Sequence, residues 1–113
     1  MTNNGSILIQ RLNPEKAKRK LDIETDIRLI DVREEWENHK AKIENSELMP
    51  LSRFVESSKS LNNDDKIMVY CHHGVRSLQV CFYLERLGFN NLINLEGGID
   101  AWSREVDSSI PVY

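Results

Sequence analysis

The stretch that decides the reading of this chain is Ile67–Val80, IMVYCHHGVRSLQV. Ile67, Met68, Val69 and Tyr70 form an uncharged run of the kind found in strands buried on both faces of a parallel sheet. Cys71 ends the run. His72, His73, Gly74, Val75 and Arg76 follow, and from Ser77 to Leu87 the apolar residues recur at helical spacing, with Gly88 as the stop. A strand, a short turn and a helix are therefore expected, with Gly74 supplying the backbone freedom the turn needs. Such a turn aims several amide N–H groups at one point, in front of a helix N-terminus, and makes an anion cradle. A cysteine sulfur at its centre has its thiolate favoured by those amides, by the helix dipole and by Arg76. His72 and His73 add charge when protonated and hydrogen bonds when not. Ser77 caps the helix or donates to the sulfur.

The same alternation continues outward. Strands are expected at Ser6–Gln10, Arg28–Val32, around Glu47–Leu51 and at Asn91–Leu95. Helices are expected after Asn13-Pro14 (an N-cap followed by proline at the first helical position), over Arg33–Lys40, after a Ser52 cap, and from Ile99 onward. Strands alternating with helices argue for an α/β layer structure around a mostly parallel sheet, whose sites form at the carboxyl ends of strands. Two such ends carry chemistry: Asp31 and Arg33 after one strand, and Cys71 after another.

At 113 residues, one domain spanning 1–113 is expected. A net charge of -3 with acids and bases interspersed gives no basic face for nucleic acid. No apolar run approaches the ~20 residues of a membrane span, and the start carries no charged segment or cleavage site of a secretory signal. Two cysteines make no disulfide scaffold, so a reducing cytoplasm is the expected compartment. Val80, Cys81, Leu84 and Leu87 share one helical face, which assigns Cys81 to the core. No metal is expected: Cys71, His72 and His73 are adjacent and do not easily converge on one tetrahedral ion, and the sequence offers no second cluster of ligands.

Three motifs together resemble the rhodanese-homology domain: LIDVREEWE (Leu29–Glu37), VYCHHGVRS (Val69–Ser77) and LEGGIDAW (Leu95–Trp102). The ending REVDSSIPVY is also similar. The resemblance runs from about Leu12 to Tyr113 and implies a rhodanese-like α/β fold, a central parallel five-stranded sheet flanked by helices. It implies a sulfurtransferase that moves a sulfane sulfur from thiosulfate or a persulfide donor to cyanide, a thiol or a partner protein. Cys71 would carry the persulfide, with Arg76 as the second catalytic residue. His72, His73, Gly74, Val75 and Ser77 would bind the outer sulfur and the substrate. Arg33 would hold the site or attract an anionic donor, and Asp31 would hold neighbouring loops. No cofactor is implied. In the segment Lys42–Pro50 the family usually has a histidine and a Gly-Ala pair, where this chain has Lys42, Asn45 and Ser46.

The same fold hosts cysteine phosphatases, and loop length separates the two chemistries. Four residues lie between Cys71 and Arg76, one fewer than in the phosphatase loop. A tetrahedral phosphate with three equatorial oxygens needs the larger ring, whereas a persulfide needs room for one sulfur. A non-catalytic binding module and a sulfur-relay subunit with a protein acceptor are the other readings. The ending resembles rhodanese domains attached to ubiquitin-like-activating enzymes, which favours the relay.

Overall fold

The computed structural model describes residues 9–113. Its elements run β1 (Ile9–Leu12), α1 (Pro14–Ile23), β2 (Arg28–Asp31), α2 (Glu35–Lys40), β3 (Glu47–Leu48), α3 (Phe54–Ser57), β4 (Ile67–Tyr70), α4 (Val75–Arg86), β5 (Leu92–Leu95) and α5 (Gly98–Glu105). The five strands form one parallel sheet in the order β1-β5-β4-β2-β3. The central strand β4 is the uncharged run, and all four of its residues are buried.

Alternation along β4 explains the layers, because successive side chains of a strand point to opposite faces. Ile67, Val69 and then Cys71 pack with Phe54 of α3 and with Val80, Cys81 and Leu84 of α4. Met68 and Tyr70 pack on the other face with Ala17 of α1 and with Ile99 and Trp102 of α5. Helices thus cover both faces. Among the described residues, no helix is long and apolar enough to cross a membrane.

Local chemistry sets the boundaries. Asn13 accepts from the Lys16 amide at 2.9 Å and caps α1, with Pro14 opening it. Four expectations need correction. The first strand runs Ile9–Leu12, two residues beyond the expected Gln10, and Ser6 to Leu8 lie outside the described residues. Ser52 does not cap a helix: its hydroxyl and amide both turn to the Glu34 carboxylate, at 2.6 and 3.2 Å, and the segment that follows is one α turn between two 3-10 turns. The helix after Cys71 begins at Val75, two residues before Ser77, because Gly74 serves as its N-cap. Leu87 is 51% exposed, since α4 has already ended at Arg86.

The Lys42–Pro50 segment keeps its turn by another route. Asn45 adopts a φ of +68°, the left-handed region that asparagine tolerates better than most residues. Ser46 Oγ donates to the Ile43 carbonyl at 2.7 Å and lies 3.0 Å from the Tyr70 hydroxyl.

Candidate active site

The sulfur of Cys71 lies where β4 stops, and the residue is almost completely buried. The Gly74 amide donates to Sγ at 3.1 Å and the Ser77 amide at 3.3 Å, while Ser77 Oγ sits 3.4 Å away. Helix N-termini leave amides without intrahelical partners. Here no side chain caps α4, and the cysteine sulfur takes the capping acceptor's place. The chain can return on itself this tightly because Gly74 has φ +97°, and a Cβ there would stand 3.0 Å from the Gly97 nitrogen. Asn94, buried in β5, donates to the Gly74 carbonyl at 3.2 Å and holds the turn from below.

A second clamp comes from α5. Its first amides reach back to the loop: Ile99 N–H donates to the Cys71 carbonyl at 2.9 Å and Asp100 N–H to the His72 carbonyl at 3.1 Å. This approach requires a glycine at 98. Gly98 has φ +63°, and a Cβ on it would run into the backbone carbonyls of His72 and Cys71. The two glycines of the EGG turn therefore belong to the site's construction.

Behind the loop lies a polar network. Asp31 accepts from Arg33 through both oxygens, at 2.9 and 2.7 Å, and also from Asn38 and Tyr70. The Arg33 guanidinium is 0% exposed and donates further to the Ala41 carbonyl, the Glu37 carbonyl and the Tyr113 hydroxyl. Its donors meet protein acceptors inside the fold, so the expectation that Arg33 attracts an anionic donor is corrected: it is a buried strut. Burial opposes its charge, yet the Asp31 carboxylate holds its pKa above the ordinary value. Asp31 ties β2's end to α2 and β4.

Arg76 points to the same network. It makes a two-pronged ion pair with Glu37 at 2.8 and 2.9 Å, and Tyr113 Oη donates to Glu37 Oε2 at 2.9 Å. Arg76, seconded by a backbone hydrogen bond and Tyr113, holds the Glu37 carboxyl down at about 2 against the opposing effect of burial. The Tyr113 hydroxyl is pushed up to about 12 by burial. Its ring stacks on His72 at 4.0 Å with 4° between planes, and His72 in turn stacks on His73 at 3.9 Å. Burial, then the neighbouring His73, lowers the His72 pKa. His73 and Val75 stand exposed at the rim.

The structure thus gathers Cys71, Gly74 and Ser77 at the sulfur and sets Arg76 on the neighbouring Glu37. Cys81 packs behind in the core, and burial, followed by the charge of nearby Cys71, pushes its thiol up to about 12. Sequence reasoning missed Glu37, Asn94, Asp100 and Tyr113. Glu37 and Asp100 look like ordinary first-turn acids of exposed helices. Tyr113 lies in a tail without periodicity, and only its pairing with the buried Arg33, 80 residues away, reveals it.

Comparison with known proteins gives a consistent result. The family model described as Rhodanese-like domain matches residues 13–105. The chain is 29% identical over 97 residues to a sulfurtransferase of Allochromatium vinosum, covering 86% of this chain and 91% of that one. It is 30% identical over 77 residues to the thiosulfate sulfurtransferase GlpE of Coxiella burnetii, covering 68% of this chain and 72% of that one. The crystal structure of a rhodanese-like domain protein from Staphylococcus aureus superposes with a TM-score of 0.78 at 29% identity, covering 92% of this chain and 98% of that one.

Proposed function

The chain belongs to the rhodanese-like domain family, and we propose that it transfers sulfane sulfur from thiosulfate or a persulfide through a persulfide on Cys71. One observation carries this reading: a buried cysteine sulfur with two main-chain amides converging on it at 3.1 and 3.3 Å. Those donors are fixed before substrate arrives, so anionic sulfur is stabilised without reorganisation.

The mechanism has two displacements. In the first, the Cys71 thiolate attacks the sulfane sulfur of thiosulfate. The sulfur–sulfur bond of thiosulfate breaks, sulfite leaves with the electron pair, and Cys71 holds a persulfide. The outer sulfur extends toward the mouth of the loop formed by His72, His73, Val75 and Arg76. In the second, an acceptor attacks that outer sulfur and Cys71 departs as the thiolate. With cyanide the product is thiocyanate; with a thiol it is a new persulfide. Ping-pong kinetics follow from the covalent intermediate. Arg76, fixed by Glu37, keeps a positive charge beside the loop and draws anionic donors.

Arg76 and the amides fit one added sulfur better than a phosphate, since the ring between Cys71 and Arg76 is short. An acceptor on a protein is favoured over a small molecule by the surface next to the cradle. Val75 is 66% exposed on the loop itself, and Trp36, 59% exposed, meets Tyr113 edge-on. A reducing cytoplasm suits a thiolate nucleophile. The test is the intact mass of the protein after thiosulfate and again after an acceptor. One added sulfur on the Cys71 peptide, discharged by the acceptor, is expected. A Cys71→Ser variant that still gains and transfers sulfur refutes the assignment.

A further inference from the structure

The clamp between the loop and α5 brings together three side chains that the sulfur chemistry does not use. His72, His73 and Asp100 each offer a ligand atom, and these atoms lie within 4.8 Å of one another. Their gathering follows from the fold. Asp100 N–H bonds to the His72 carbonyl at 3.1 Å, which sets the first turn of α5 beside the two histidines. His72 is held in place by stacking on Tyr113, and His73 stacks on His72 with 29° between planes. Adjacent histidines therefore do present their rings together, contrary to the expectation from the sequence, and α5 supplies the further ligand that the sequence concealed.

We propose that His72, His73 and Asp100 form a binding site for a divalent cation of zinc's class at the rim of the Cys71 loop. Two imidazoles and one carboxylate are the donor set that borderline divalent cations favour, and they leave a coordination position open. His72 Nε2 is buried and has no hydrogen-bond partner, so the ring is not fully committed to the protein. Arg104 Nε donates to Asp100 Oδ2 at 3.1 Å, and the carboxylate retains its other oxygen as a ligand. His73 is exposed at the surface and provides the entry path. Small splaying of the stacked rings brings the nitrogens to a common ion, and exposed His73 is free to make that movement. Cys71 is outside the ligand set: the cation would take the side chains of His72 and His73, whose backbone belongs to the cradle, and the inference goes beyond the reading of that centre.

The test is equilibrium dialysis of the full chain against zinc, run in a Cys71→Ser background so that the thiolate does not contribute. One zinc per chain is expected. His73→Ala and Asp100→Asn should each weaken it by at least about tenfold, the scale on which even supporting groups around a metal act. Asparagine keeps an acceptor for Arg104, and His73 is exposed, so both variants should retain the parent's circular dichroism and melting midpoint. Cobalt bound to the same background should lack thiolate-to-metal charge transfer. Failure to bind zinc, binding that disappears with Cys71→Ser alone, or binding indifferent to both His73→Ala and Asp100→Asn would each overturn the site.

Discussion

Gly98→Ala separates the construction of the cradle from the stability of the fold. A Cβ at position 98 would press on the His72 and Cys71 carbonyls, all of it rigid backbone. The helix and loop must move apart, and two main-chain bonds are then at risk, Ile99 to Cys71 at 2.9 Å and Asp100 to His72 at 3.1 Å. Each is worth about 1 kcal/mol net. The left-handed φ of +63° adds about 1–2 kcal/mol for any residue with a Cβ. A loss of about 3 kcal/mol in urea unfolding is expected, with sulfur loading depressed even where the variant is folded, because the amides of Gly74 and Ser77 no longer meet the sulfur. Gly88→Ala is the control. It carries φ +98°, but its Cβ would meet only the exposed side-chain amide of Asn63, which can turn away by giving up its hydrogen bond to the Leu87 carbonyl. It should be destabilised by about 1 kcal/mol and load sulfur normally. If Gly98→Ala unfolds at the same urea concentration as the parent and loads sulfur as fast, the α5 clamp does not build the site.

Other substitutions probe the remaining parts. Cys81→Ala should lose on the order of 1 kcal/mol by leaving a small core cavity while keeping its sulfur loading; loss of the persulfide in the folded variant would make Cys81 chemical. Arg76→Ala removes the partner that holds Glu37 down and a positive charge at the cradle, so thiosulfate use should fall while Cys71 still alkylates; an unchanged kcat/KM for thiosulfate contradicts the role given to Arg76. Glu37 has a depressed folded pKa, about 2 against 4.5, so its contribution is complete above about 4.5 and is lost as pH falls toward 2. That contribution is at most about 3 kcal/mol, and less because the Arg76 end of the pair is a third open to water; Glu37→Gln should flatten this acid limb in urea titrations at successive pH values. The protein should transfer sulfur and leave an aryl phosphate intact, and Cys71-dependent phosphate hydrolysis without sulfur transfer would reverse the choice between the two chemistries.

What the sequence revealed and what it hid divide along a physical line. The strand-turn-helix at Cys71 was legible because its signals are local: an uncharged run, a glycine at the turn and helical periodicity after it, all within fourteen residues. The layered fold was legible for the same reason, since most of its strands and helices carry local signals of apolar patterning, caps and turn residues, the segment after Ser52 being the exception. The supports were not, because they are made by distance. Asn94 and Gly74 meet only once β5 lies beside β4. That Arg33 is wholly buried emerges only once Asp31, Ala41 and Tyr113 close around it. The tail without periodicity gave no sign that Tyr113 would lie between Arg33 and Glu37. The ligand count from sequence misses Asp100 for the same reason: His72 and His73 are adjacent in the chain, whereas Asp100 comes beside them only in the fold. A rule follows for reading a cradle of this kind. The residue that performs the chemistry is found by its local motif, whereas the residues that hold it are found by asking which buried donors and acceptors the loop itself leaves unsatisfied. Here the loop's carbonyls at Cys71, His72 and Gly74 are such groups, and α5 and Asn94 are their answers.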